Sequence, residues 1–217
     1  MNKKEKAKTI LKLLNKFYPT ISSPLKHTNT FTLLISVLLS AQCTDRNVNN
    51  VTKNIYPKYN KPEDFVRLGK RKIEKLIKSI GIFRIKANNI YLLSKLLIEK
   101  HNAKVPDTFA ELEKLPGVGH KTASVVMSQG FGHSAFPVDT HIHRLAQRWG
   151  LTNGNNVQQT ENDLKKIFPK KYWNKLHLQI IYYGREYCKA RDCYGLTCKI
   201  CTTCYPKRKK PIKTKKA

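Results

Sequence analysis

Two amphipathic stretches meet at Leu115-Pro116-Gly117-Val118-Gly119-His120-Lys121 with almost nothing between them. Proline and glycine stop the first helical pattern, and the second starts at once. The segment therefore predicts two helices joined by a tight hairpin. Backbone N–H groups at such a turn, pointing out of a helix N-terminus, form a ready anion site. Lys121 falls in the first turn of the second helix, where the positive end of the helix dipole disfavours a neighbouring ammonium.

The rest of the chain is read as helical too, and no segment alternates as a strand. Ile10, Leu11, Leu13 and Leu14 mark an N-terminal helix, and Pro19 to Pro24 reads as a connector. Helices are expected at about 30–43, 44–56, 62–68, 70–80 and 83–101. The next helix is capped by Asp107 or Thr108 and ends at the Pro-Gly-Val-Gly turn. The helix after that turn buries Ala123, Val126, Met127 and Gly130. Three more follow at about 140–149, 157–167 and 173–187. Phe31 to Ala41 is the most apolar run, yet eleven residues are too few to span a bilayer. It reads as a buried core helix. Met1 to Lys16 has no continuous apolar segment of the secretory kind. The expectation is a cytoplasmic, nucleoid-associated protein.

Charge narrows the partners. The 217 residues carry a formal net charge of +28, from 42 Lys+Arg against 14 Asp+Glu. A run of basic residues from Lys207 to Lys216 contributes, but the body is strongly basic without it. A field of that sign favours nucleic acid first and an anionic membrane second. A set of merely solvated charges is the plainer alternative. The basic tail, 206–217, reads as disordered.

Five of the six cysteines, Cys188, Cys193, Cys198, Cys201 and Cys204, crowd into one short segment. Cys43 stands apart in an apolar helix and reads as buried and inert. With nothing pointing to secretion, the five suggest metal rather than disulfides. Cys198-x2-Cys201-x2-Cys204 has the rhythm of an iron–sulfur loop, and Cys188 closes the set at four. Cys193 is left as the alternative ligand. Four thiolates would hold zinc equally well.

Four segments in order resemble the endonuclease III family of helix-hairpin-helix DNA glycosylases. They are Ser40-Ala41-Gln42-Cys43-Thr44-Asp45, Leu115–Lys121, Pro137-Val138-Asp139-Thr140-His141-Ile142-His143-Arg144 and the terminal cysteines. The resemblance spans about residues 5–205. It implies an all-α fold of two lobes. A six-helix barrel with the hairpin covers 23–133. A second helical lobe combines 1–22 with 134–205 and carries a [4Fe–4S] cluster on the loop 188–204. DNA would lie across the cleft between them. The family spaces its cysteines C-x6-C-x2-C-x5-C, whereas Cys188, Cys198, Cys201 and Cys204 give C-x9-C-x2-C-x2-C. These four remain the expected ligands, with zinc as the lesser alternative to the cluster. In the family the cluster is structural or DNA-sensing and does no chemistry on the base.

The resemblance also implies a reaction. Lys121 would attack the sugar C1′, expel a damaged base and leave a Schiff base. The iminium acidifies the C2′ proton, so β-elimination breaks the strand on the 3′ side. Asp139 would stabilise positive charge at C1′. The same residue also reads as an N-cap for the helix from Thr140. Gln42 would fill the space left by the extruded nucleotide, and Ile82 would wedge the opposite strand. Gly117, Val118 and Gly119 would bind a phosphate through their amides, and His141 would face DNA. The expected partner is double-stranded DNA with oxidised pyrimidines or abasic sites, bound by a monomer. Two rivals remain. One is a non-catalytic DNA-binding module. The other is an adenine-mismatch DNA glycosylase, which lacks a lysine at the hairpin position.

Overall fold

A computed structural model describes residues 1–217, all helix, turn and irregular backbone. The helices are α1 (Lys3–Phe17), α2 (Thr30–Ser40), α3 (Asp45–Thr52), α4 (Pro62–Leu76), α5 (Phe83–His101) and α6 (Phe109–Leu112). They continue as α7 (His120–Val125), α8 (Thr140–Arg148), α9 (Val157–Ile167), α10 (Trp173–Glu186) and α11 (Lys199–Cys204). The chain divides into two compact units, Ser23–His133 and Met1–Ser22 with Ser134–Ala217. No helix is long and apolar enough to cross a membrane.

The unit Ser23–His133 is organised around α2. Every residue from Phe31 to Leu39 is buried, because a helix apolar on all sides must be enclosed by its neighbours. Asn29 starts it with a capping box shared with Thr32. The two short helices expected at 62–68 and 70–80 are the two halves of α4, separated by the non-helical backbone of Gly69 (φ +71°, ψ 159°). Glycine is the residue that takes that backbone cheaply. α5 buries Ala87, Ile90, Leu93 and Leu97 on one stripe and ends on Asn102 in the left-handed region. Thr108 caps α6 through its Oγ1, 3.3 Å from the Glu111 amide.

The helix after the hairpin is not uniform. α7 gives way to a π-helical turn at Val126–Gly130. Gly130 lets this turn approach α2 closely: a Cβ there would stand 3.0 Å from Thr30 Cγ2 and 3.2 Å from Leu33 Cδ2.

The other unit packs α1, α8, α9, α10 and α11 around Ile10, Leu14, Trp149, Leu164, Leu176 and Tyr183, all fully buried. Two findings correct the sequence reading. A helix, α11, forms inside the cysteine segment that the spacing suggested was loop. The tail 206–217, expected to be disordered, is seated on its own unit. Arg208 Nη1 donates to the carbonyls of Arg148 (2.8 Å) and Gly195 (3.0 Å). The Ile212 amide donates to Tyr194 O at 2.9 Å. The side-chain amide of Gln147 pairs with both backbone groups of Lys215, at 2.8 and 3.1 Å. Composition reports only that the tail carries few apolar groups. Its backbone hydrogen bonds depend on partners far away in sequence.

Candidate active site and metal centre

The hairpin turn is built from two glycines doing different work. Gly117 has φ +79°, and a Cβ there would lie 2.6 Å from Asn89 Nδ2. No other residue fits without strain and displacement. Gly119 is the N-cap of α7 with φ −95° and ψ 176°, a backbone any residue adopts. A Cβ at Gly119 would meet open space. Its lack of a side chain is therefore not required by the fold, and it bares the backbone towards whatever binds there. The amide of Val118 is spent inside the turn, donating to Leu115 O at 3.0 Å. That corrects the expectation that all three residues offer amides outward. Gly117 and Gly119 remain as candidate donors.

These two glycines make a sharp stability test. Gly117→Ala is expected to destabilise by more than about 2 kcal/mol, from left-handed strain plus the clash. Gly119→Ala should melt within about 0.5 kcal/mol of the parent yet bind duplex DNA more weakly. Unchanged affinity in Gly119→Ala would remove this amide from the DNA-binding surface.

Lys121 is exposed and sits in the first turn of α7. The neighbouring His120 stacks on Phe109 at 5.4 Å between ring centres, and its Nδ1 lies 2.7 Å from Glu113 Oε1. The hairpin is thus clamped by ring and carboxylate just ahead of the lysine.

Gln42 and Ile82 share an uncommon backbone. Both are left-handed, at φ +54° and +57°, though neither is glycine. For an L-residue this costs about 1–2 kcal/mol, and for a β-branched one it is a genuine outlier. Both side chains are exposed, Ile82 at 48%. Their turns are neighbours. A Cβ on Gly81 would stand 3.6 Å from the Gln42 carbonyl. Asn47 Nδ2 donates to Ser79 O at 3.0 Å and lies 3.3 Å from Cys43 Sγ. Cys43, expected to be buried, is only partly so and stands in this turn.

Asp139 caps α8. Its Oδ1 accepts from the Ile142 amide at 2.8 Å, which leaves Oδ2 outside the cap. His177 lies close enough to feel this carboxylate, but complete burial pushes its pKa down to about 4. It is neutral at pH 7 and supplies no counter-charge. His141 stands in the first turn of α8, half-buried, with Nδ1 3.3 Å from Arg144 Nη2. His143 faces inward and meets Thr160 Oγ1 at 2.8 Å. The two histidines therefore point to different environments and do not form a metal pair.

The candidate metal-binding cluster departs from the expected ligand set. The sulfurs of Cys188, Cys193, Cys198 and Cys201 all lie within 4.8 Å of one another, and all four residues are buried. Cys193 is in this group and Cys204 is not. The physical reason is α11. In a loop, the x2 spacing could wrap three sulfurs around one centre. On a helix, each step of three residues climbs about 4.5 Å, so Cys204, two steps after Cys198, is carried about 9 Å along the axis from it. Cys193 folds back instead, and the Cys198 amide lies 3.5 Å from its sulfur. Burial pushes the Cys204 thiol up to about 11.

The group is well anchored. Arg148, 1% exposed, donates through Nη1 to Cys188 Sγ (3.2 Å) and Lys189 O (2.8 Å), and through Nη2 to Ala190 O (2.9 Å). Arg144 holds Cys188 O at 3.0 Å, and Tyr183 Oη accepts from the Ile200 amide at 3.0 Å. Four buried soft sulfurs suit an iron–sulfur cluster or zinc. Hydrogen bonding to Cys188 holds the Cys198 thiol down and pushes the Cys201 thiol up, so in this packing the protons are shared unequally.

Two helices joined through the tight Pro-Gly-Val-Gly turn define a helix-hairpin-helix protein. The family described as HhH-GPD superfamily base excision DNA repair protein matches residues 35–170. Endonuclease III of Escherichia coli K12 is 41% identical, covering 98% of this chain and 100% of its own. Endonuclease III of Bacillus subtilis is 42% identical over 90% of both. A trapped covalent endonuclease III–DNA intermediate superposes with a TM-score of 0.87 at 43% identity, over 92% of this chain and 94% of that one. A thermostable thymine-DNA glycosylase shares the fold at 24% identity and TM-score 0.79. The chain belongs to the endonuclease III family within this superfamily. It is a DNA-binding enzyme of base excision repair, a DNA glycosylase and lyase, and neither the non-catalytic module nor the adenine-mismatch enzyme is favoured.

Proposed function

We propose that this enzyme removes oxidised pyrimidines from double-stranded DNA through a Schiff base on Lys121 and then cleaves the strand 3′ to the abasic site. The observation that carries this reading is an exposed lysine at the exit of the hairpin turn, in a chain 43% identical to an endonuclease III trapped covalently on DNA. The Lys121 amine attacks C1′ as the N-glycosidic bond breaks, and the base departs with the bonding electrons. Loss of the C2′ proton from the iminium then expels the 3′ phosphate. Asp139 takes the role of charge stabiliser at C1′ through the oxygen its cap does not use. Gln42 and Ile82 fill the gap and part the opposite strand. Gly117 and Gly119 hold a phosphate, and His141 contributes to the DNA-facing surface. The enzyme acts as a monomer in the compartment that holds the chromosome.

Borohydride trapping tests this directly, with a duplex carrying one oxidised thymine and an abasic duplex in parallel. A covalent band is expected on both. A band on the abasic duplex alone would leave a lyase with a different base preference. No band on either would defeat the Schiff-base reading.

We infer further that Cys188, Cys193, Cys198 and Cys201 hold a [4Fe–4S] cluster, with zinc as the alternative. When bound, the group would cross-link the 188–201 segment to itself, from just after α10 into α11, and would supply no step on the sugar. Cys193→Ser should purify with its iron and sulfide, or zinc, reduced to a small fraction of the parent's. Cys204→Ser should keep the metal. The reverse pattern in elemental analysis would restore Cys204 as a ligand.

A further inference from the structure

Lys86 is the most unusual charged residue in the unit Ser23–His133. It lies on the buried stripe of α5 and is only 5% exposed. Its Nζ donates to two backbone carbonyls, Leu39 O at 2.9 Å and Ala41 O at 2.6 Å. These are at the end of α2, where Ala41 leaves the helix at φ −57° and ψ 118°. A helix end leaves several carbonyls without partners. Here Ser40 Oγ takes Val37 O at 2.8 Å, and the Cys43 amide takes Ser40 O at 3.1 Å. The Lys86 ammonium takes Leu39 and Ala41. A cation at the negative end of the helix dipole is also favourable in its own right.

The carbonyl of Ala41 belongs to the peptide that leads into Gln42. Holding it fixes the plane from which Gln42 enters its left-handed conformation. The same residue touches the second strained position through its backbone. The Lys86 amide closes the first turn of α5 onto Ile82 O at 3.2 Å. One residue is therefore bonded to the peptide before Gln42 and to the carbonyl of Ile82.

We propose that Lys86 is the positioning residue for base extrusion: its ammonium fixes the peptide that leads into Gln42, from the helix whose first turn opens at Ile82. The proposal rests on the reading of those two residues as the inserting pair. Lys86 makes no bond to the substrate. With two of its three N–H groups given to carbonyls and its stem buried, it is not a second nucleophile. Burial also lowers its pKa from the ordinary lysine value.

The prediction separates extrusion from chemistry. The full-length, metal-loaded enzyme is compared with Lys86→Met and Lys86→Gln. Excision of an oxidised thymine from duplex DNA should fall about 10-fold or more. So should the fluorescence rise of 2-aminopurine placed beside the lesion. Cleavage of a single-stranded abasic oligonucleotide, which needs no extrusion and has no opposite strand, should stay within about twofold. Borohydride trapping on that oligonucleotide should likewise persist, because Lys121 is untouched. A parallel fall on duplex and single strand in the folded variants would reduce Lys86 to a structural role. No fall on either would remove the role altogether. Gln42→Ala and Ile82→Ala are run alongside. If they leave duplex excision and the fluorescence unchanged, the insertion reading itself is lost. If they impair both and the Lys86 variants do not, only the present inference is lost. Should Lys86→Met fail to fold, Lys86→Gln, with an amide able to donate to one carbonyl, carries the same comparison. If both fail to fold, Lys86 holds the fold and the positioning proposal is overturned.

Discussion

Lys121→Ala is expected to yield no borohydride-trapped complex, and to lose base excision and strand cleavage by at least about 10³-fold. DNA binding should survive. The side chain is exposed in the first turn of α7, and alanine is the best helix former, so the variant should melt like the parent. The backbone amides of the turn and the excess of other basic groups remain to hold phosphate. Removing one lysine from a chain with 42 Lys+Arg changes the field little. What disappears is the amine we propose forms the Schiff base. Electrophoresis after reduction reads the covalent complex, and a gel shift at fixed salt reads binding. Nicking at the parental rate would transfer the nucleophile's role elsewhere.

Asp139→Asn should lose about 10²–10⁴-fold in base excision while keeping its stability within about 0.5 kcal/mol. The substitution is chosen for what it preserves. Asn and Asp cap helices about equally well, so the bond from the Ile142 amide to the side-chain oxygen can persist at its 2.8 Å length. The negative charge is what goes. The His177 ring beside it is neutral, and the cation near enough to feel the Asp139 carboxylate is the Arg144 guanidinium of α8. Asp139→Ala serves as the second arm. It removes cap and charge together and should add about 1 kcal/mol of destabilisation. Single-turnover excision and thermal melting separate the two effects. Activity retained in Asp139→Asn would leave the residue as a cap and nothing more.

Much of the helical framework was legible because its signals are local. Asn29 before an apolar run, Gly69 between two helical patterns, Thr108 before α6 and the Pro-Gly-Val-Gly turn are all chemistry of a few adjacent residues. The turn places Lys121 and the cap places Asp139, but the catalytic role expected of each came only from the resemblance to the endonuclease III family. The errors lie where local pattern meets distant partners. The x2 rhythm after Cys198 has the same spelling in a loop and in a helix, and only packing against Tyr183 and α1 makes it α11. Lys86 has the composition of a solvated charge. Its one signal was its place on the apolar stripe of α5, and its partners lie 45 and 47 residues away.

The sequence by itself determined that this chain is helical, basic and hinged on one glycine turn, because turn chemistry, periodicity and charge are properties of neighbours. Tertiary structure alone decided which four sulfurs converge, that the basic tail is seated, and that Gln42 and Ile82 stand in left-handed backbone at adjoining turns. Those features depend on long-range hydrogen bonds and on burial. The tail and the two strained turns have partners outside any short window, and the cysteines, though close in sequence, are sorted by burial and by the helix that forms among them.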